Sequence, residues 1–259
     1  MDTNWEIVES GPDDAERTVL LLPGGMCSAR SYAEVMAEPE LAGARLVAVT
    51  MPGHAGAPAP DDFSIEEYAR ITAELAQSVG ADVVVGFSMG ATVAYEMVIS
   101  GTFKGPVVLL GVSLSTSDEP AFFRAIIRLG AVLGTLPAAV LKKGATSMVK
   151  HSDVSPESQA QLRSDFARNN TNDMRLALLA YLRWLQRDDD PARRLCESGP
   201  PAWVVHAEKG DGALTQHERA VLEACPRVQV VTIPGKVSLL PNEVPARIAE
   251  VIVKALVEV

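Results

Sequence analysis

Residues 86–90 read Gly86-Phe87-Ser88-Met89-Gly90, preceded by a short, almost wholly apolar run and followed by a helical pattern over 89–99. That placement constrains the fold more than any other feature of the chain. A serine on a sharp turn between a buried strand and a helix is the setting of a nucleophile elbow. The tight turn crowds its neighbours and pushes the serine into a strained backbone conformation, so small residues must flank it. A strand as uniformly apolar as residues 82–85 belongs in the middle of a parallel sheet.

The rest of the sequence supplies that sheet. Apolar, β-rich runs at residues 5–9, 17–22, 45–50, 106–111, 202–207 and 228–233 alternate with amphipathic stretches. This is the pattern of strands and crossover helices. Helices are predicted over 28–37, 89–99, 216–224 and 244–257. Another opens at the capping box Ser64-Ile65-Glu66-Glu67, carries the stripe Tyr68, Ile71, Leu75 and Val79, and ends at Gly80. From residue 113 to 197 the strand signal vanishes, and four helical patterns take its place, at 120–134, 136–150, 156–169 and 172–187. The expectation is therefore an α/β fold with a mostly parallel central sheet. Its core comprises residues 1–112 and 198–259, and 113–197 form an inserted all-helical cap.

A second loop bears on chemistry. Leu20-Leu21-Leu22-Pro23-Gly24-Gly25-Met26 ends an early strand. A backbone N–H of Gly25 or Met26, paired with that of Met89, would stabilise negative charge developing on a carbonyl oxygen. Other classes are disfavoured. A net charge of −10 offers no field for nucleic acid or an anionic membrane surface. No run reaches the roughly 18 apolar residues of a membrane helix, and no signal peptide, Walker loop, dinucleotide fingerprint or metal-ligand spacing occurs. Cys27, Cys196 and Cys225 are widely spaced, which reads as a reduced, cytoplasmic protein. No cofactor or metal is expected, and the partner is a small-molecule substrate; the oligomeric state stays open.

Along nearly its whole length the chain resembles the α/β-hydrolase superfamily, in its small, capped esterase/lactonase type. The residues carrying the resemblance are Leu-Leu-Pro-Gly-Gly at 21–25, Met51-Pro52-Gly53-His54, the Ser88 elbow and the late strands. Members usually carry His-Gly at the first of these loops, where this chain has Pro23-Gly24. The resemblance implies that a serine attacks a carbonyl, a histidine relays its proton and an acid orients the histidine. Here the triad reads as degenerate. The acid follows the strand matching 203–206, and this chain has Ala207-Glu208-Lys209-Gly210 there, with Asp211 next door as a substitute if the loop shifts by one. Anchoring on Gly235, Pro241, Glu243 and Pro245 puts Ser238 at the histidine position; an offset of two puts Lys236 there. His54 sits near the rim of the implied site, as a substrate contact or a structural residue. His151, His206 and His217 do not have the sequence position of a relay base.

Losing the base of such a triad costs about 10⁶ in turnover. A serine hydroxyl beside an oxyanion hole can still bind and polarise a carbonyl. The chain thus reads as an enzyme of elimination, retro-aldol or Claisen cleavage, isomerisation or cyclisation, with an apolar lid suited to a hydrophobic substrate. Lys236, Glu208 or Asp211 would move the proton. An esterase, lactonase or thioesterase with a relocated base, and a non-catalytic ligand-binding homologue, are the alternatives.

Overall fold

The computed structural model describes residues 5–187, 190–210 and 214–259. Seven strands form one sheet: β1 (Glu6–Ser10), β2 (Thr18–Leu22), β3 (Arg45–Thr50), β4 (Val83–Phe87), β5 (Val107–Leu110), β6 (Ala202–Gly210) and β7 (Val228–Val237). Their order is β1-β3-β2-β4-β5-β6-β7. Only the edge pair β1–β3 is antiparallel; every other neighbour is parallel.

Both faces of this sheet are buried, which is why its strands read as continuous apolar runs. Leu20, Leu22, Val47, Val49 and Val84 point into one core, whereas Val19, Leu21, Leu46, Ala48, Val83 and Val85 point into the other. Helices cover the two layers: α1 (Ala33–Met36), entered through a tight turn at Ala29–Tyr32, then α2 (Ile65–Val79) and α3 (Met89–Ile99). The Ser64 hydroxyl accepts the Glu67 N–H at 3.2 Å and so caps α2. The Glu67 carboxylate turns instead to Arg70, at 2.7 and 2.8 Å, so only half of the expected box forms.

Between β5 and β6 the chain is helical, as its periodicity indicates: α4 (Ala121–Leu133), α5 (Leu136–Val149), α6 (Pro156–Arg168) and α7 (Thr171–Leu185), followed by a fifth helix, α8 (Pro191–Ser198). The core then closes with α9 (Gln216–Glu223), α10 (Leu240–Glu243) and α11 (Pro245–Val257). The insert is bolted to the helix that follows the elbow. The buried Glu96 of α3 accepts the Trp184 indole N–H at 2.8 Å and pairs with Arg187 at 2.9 Å. The Tyr95 hydroxyl donates to the Pro191 carbonyl at 2.9 Å.

Two expectations need correction. Strands β6 and β7 run past residues 207 and 233 and stay paired as far as Gly210 and Val237. The cysteines are not all reduced: Cys196 and Cys225 are joined in a disulfide, with Cα atoms 5.7 Å apart. Sequence spacing hides this pair, but topology makes it natural. Each cysteine lies just ahead of a strand, and Ala202 of β6 is in register with Val228 of β7. Such a bond is typical of oxidising surroundings. No helix among the described residues is long and apolar enough to cross a membrane.

Candidate active site

The elbow is built as its sequence demands. Ser88 links β4 to α3 at φ 49°, ψ −114°, a left-handed region that non-glycine residues avoid. The surroundings hold it there: the Ser88 N–H donates to the Leu110 carbonyl at 2.8 Å, and the Ser88 carbonyl accepts the Thr92 N–H at 3.0 Å. Both flanking glycines are obligatory. A Cβ on Gly86 would stand 2.2 Å from the Gly90 carbonyl oxygen, and one on Gly90 would stand 2.3 Å from that of Leu22. The side chain of Ser88 is partly exposed. Among the described residues, no hydrogen bond reaches its Oγ.

The loop after β2 lies against this turn. A Cβ on Gly24 would be 3.6 Å from Ser88 Cβ, and one on Gly25 would be 3.7 Å from Met89 Sδ. Ser88, Gly25 and Met89 are thus brought together. Gly24-Gly25-Met26-Cys27 form a turn closed by Cys27 N–H to Gly24 O at 3.1 Å. Met26 occupies its third position at φ 69°, where a type II turn ordinarily uses glycine.

Three side chains impose that conformation, and two of them went unrecognised in the sequence. Met26 N–H donates to His54 Nδ1 at 3.0 Å, while the Met26 carbonyl accepts from Asn169 Nδ2 at 2.8 Å. One step along, the fully buried Asp165 of α6 accepts both the backbone N–H and the hydroxyl of Ser28, at 2.9 and 2.7 Å. The insert therefore grips the very loop that offers the candidate oxyanion donors.

These bonds correct two expectations. Met26 N–H is engaged by His54, which leaves Gly25 as the loop's candidate donor. His54 is not at a substrate-facing rim but buried. Its Nδ1 must be unprotonated to accept an amide N–H, so its proton sits on Nε2, 3.5 Å from the Tyr68 hydroxyl, which itself donates to the Pro52 carbonyl at 2.7 Å. Burial pushes its pKa down from 6.5 to about 4, and the ring is a neutral structural acceptor.

The remaining histidines are also committed elsewhere. His206 meets Thr232 Oγ1 at 3.0 Å, Arg219, and the Ala207 carbonyl, and burial lowers its pKa. His151 bonds to the Ser147 carbonyl, and His217 lies 3.5 Å from Asp190. None of these bonds reaches Ser88.

The positions expected from the sequence for an acid and a histidine lie where β6 and β7 extend. Gly210 is paired with Val237 and Lys209 with Lys236. Gly210 has φ 127°, and a Cβ there would sit 1.9 Å from the Val237 carbonyl oxygen. Glu208 accepts the Gly235 N–H at 2.9 Å. Lys236 is exposed on this ribbon, a solvated lysine rather than a group held toward Ser88. Asp211 falls outside the described residues. The N–H groups of Ser238 and Leu239 both donate to Glu243 Oε1, at 2.9 and 2.8 Å, which caps α10. Ser238 is partly buried, between Val237 and Leu239, which belong to the same apolar cluster as Cys27, Phe87 and Phe166.

A further acidic group was not singled out from the sequence. Just beyond β5, the Ser113 and Tyr181 hydroxyls both donate to Glu119 Oε1, at 2.8 and 2.6 Å. Asp118 Oδ2 accepts the N–H groups of Leu114 and Ser115 at 2.8 Å, while its buried Oδ1 has no hydrogen-bond partner among the described residues. Burial, together with the neighbouring Glu218, raises the Asp118 pKa from 3.8 to about 7. The hint in the sequence was Ser113-Leu114-Ser115-Thr116-Ser117-Asp118-Glu119, a polar run directly after a core strand. Among the described residues no three His, Cys, Asp or Glu side chains are grouped to hold a metal ion.

Comparison with known proteins agrees with this architecture. The model of the alpha/beta hydrolase family matches residues 19–251. An esterase from Thermogutta terrifontis superposes with a TM-score of 0.76 at 18% identity, over 98% of this chain and 93% of that one. A putative aryl esterase from Burkholderia cenocepacia gives 0.77 at 17%, over 98% and 95%. The enol-lactonase from Burkholderia xenovorans LB400 gives 0.74 at 15%, over 98% and 96%. At such identities the likeness concerns the fold. No curated protein matches the chain.

Proposed function

This chain belongs to the alpha/beta hydrolase family, and we propose that it binds an apolar, carbonyl-containing small molecule at Ser88 and transforms it without forming an acyl-enzyme. In this reading the Ser88 hydroxyl and the N–H groups of Gly25 and Met89 hydrogen-bond the carbonyl oxygen as the α-proton passes to the Asp211 carboxylate and an enolate forms. Fixed donors aimed at developing charge are the strongest device such a site has. The reaction class is elimination, carbon–carbon cleavage, isomerisation or cyclisation. Residues 113–197 act as the cap over the substrate. Ser238 and Asp211 stay in the proposal on the sequence resemblance alone, whereas Lys236 leaves it because it is exposed to solvent.

The observation carrying this proposal is the pairing of Gly210 with Val237. The position that the resemblance matches to the family's acid is held here by Gly210, where a Cβ would stand 1.9 Å from the Val237 carbonyl oxygen, and among the described residues no histidine bond reaches Ser88. An unassisted serine hydroxyl is a weak nucleophile at neutral pH. What remains of such a site without its base still gives roughly 10³–10⁴ over water.

Serine hydrolysis is the second reading, favoured by the esterases and enol-lactonase among the structural neighbours. Turnover of nitrophenyl esters by the protein and by its Ser88→Ala variant separates the two. The proposal expects both rates to be low and within a few-fold of each other. A rate that falls by orders of magnitude in Ser88→Ala establishes hydrolysis.

A further inference from the structure

The first two helices of the insert differ from the rest of the molecule. Phe122, Leu129, Val132, Leu133, Leu136 and Val140 are all exposed, Val132 at 82% and Leu136 at 70%. Single exposed apolar side chains are ordinary, but a contiguous group marks an interaction surface. All six lie on the hairpin of α4 and α5, two helices joined through Gly134. Spacings of three, four and seven residues along α4 place Phe122, Leu129, Val132 and Leu133 on a common stripe.

The charge of the hairpin is equally distinctive. Residues 121–150 carry Arg124, Arg128, Lys142, Lys143 and Lys150 and not one of the chain's 33 acidic residues. The overall charge of −10 thus conceals a local cationic field. Arg124 is tied to the Thr116 carbonyl, and Lys142 to the carbonyls of Ala167 and Asn169. Arg128, Lys143 and Arg163 are exposed, and among the described residues none of them has an acidic partner. Lys142, Lys143 and Arg163 line an open groove of about 690 Å³ between α5 and α6, floored by Ala139, Ala160 and Ala167.

We infer that the α4–α5 hairpin docks on an anionic lipid surface, with its apolar crest in the acyl boundary and Arg128, Lys143 and Arg163 against the headgroup phosphates. An apolar crest flanked by exposed cations is the signature of helices lying in the interface plane. Helices of 13 and 14 residues are too short to span a bilayer and suit that plane. Charge selects this occupant over a second copy of the chain. A two-fold contact would bring the same patch of each protomer together, setting the cations of one against the cations of the other.

The test is sedimentation of the whole protein with phosphatidylcholine vesicles with and without phosphatidylserine. Binding is expected only to vesicles containing phosphatidylserine, and raised salt, which screens the attraction, should release it. Each cation near such a surface contributes about 1 kcal/mol, so Lys143→Gln with Arg163→Gln should weaken partitioning about 30-fold. Val132→Asp with Leu136→Asp should abolish it. All four positions are exposed, and an unchanged thermal transition shows that the variants remain folded. Absence of phosphatidylserine-dependent binding by the folded protein overturns the inference, as does wild-type binding by Val132→Asp/Leu136→Asp. Light scattering that shows a dimer, broken by Val132→Asp/Leu136→Asp, with no vesicle binding, assigns the face to a second copy instead.

Discussion

Gly210 and Val237 face each other across the last strand pair, so closely that a Cβ on Gly210 would stand 1.9 Å from the Val237 carbonyl oxygen. The register that joins them also joins Lys209 to Lys236. The two segments that the sequence resemblance matches to an acid loop and a histidine loop are here drawn together into a ribbon. A side chain at residue 210 and this ribbon are mutually exclusive.

Gly210→Asp is therefore expected to destabilise the protein by about 2 kcal/mol or more, through backbone strain and steric conflict together. Combining it with Ser238→His should not restore ester hydrolysis, because the strand pairing must break before an acid at 210 could orient the ring. Urea unfolding and a nitrophenyl ester assay check both statements.

His54 should govern acid stability. Its folded pKa, about 4, lies below its ordinary 6.5, so the neutral ring is the form the fold favours. The stability this contributes is fully present above pH 6.5 and is lost as pH falls toward 4. Over that interval it corresponds to about 3 kcal/mol. Protonation puts a hydrogen on Nδ1 and breaks the bond from Met26 N–H. His54→Phe should remove this pH dependence, at a cost of about 1–3 kcal/mol at neutral pH for the orphaned N–H. Urea midpoints measured across pH 4 to 7.5 would show it.

Asp118 has the opposite sign. Its folded pKa, about 7, lies above the ordinary 3.8, so the protonated carboxyl is favoured. Its contribution is complete below pH 3.8 and disappears as pH rises through 7. Asp118→Asn, neutral throughout, should gain stability relative to wild type across that range. Parallel thermal melts of the two proteins give the difference directly.

The disulfide closes a 29-residue separation between Cys196 and Cys225, for which loop-closure entropy suggests about 3.5 kcal/mol. Cys196→Ser with Cys225→Ser should lower stability by that order. Adding a thiol reductant to wild type should produce the same shift and leave the variant unaffected.

The sequence revealed most where the determinants are local. Strand β4, the Ser88 elbow and the helices of the insert follow from apolar periodicity and from glycines placed beside a strained serine. The ribbon did not show, because Glu208-Lys209-Gly210 and Pro234-Gly235-Lys236 are polar and turn-like and become strands only by pairing with each other. The function of His54 was equally hidden. Its bond to Met26 spans 28 positions, and those of Asp165 to Ser28 and Asn169 to Met26 span 137 and 143. No local pattern records contacts of that range. The disulfide depends in the same way on the register of β6 and β7.

Whether Ser88 has an activating base is decided most directly by incubating the folded protein with a fluorophosphonate probe and reading adduct formation at Ser88 by intact-mass spectrometry. The protein is expected to keep its unmodified mass, as Ser88→Ala does. Rapid, stoichiometric labelling that disappears in Ser88→Ala would show an activated serine and contradict it.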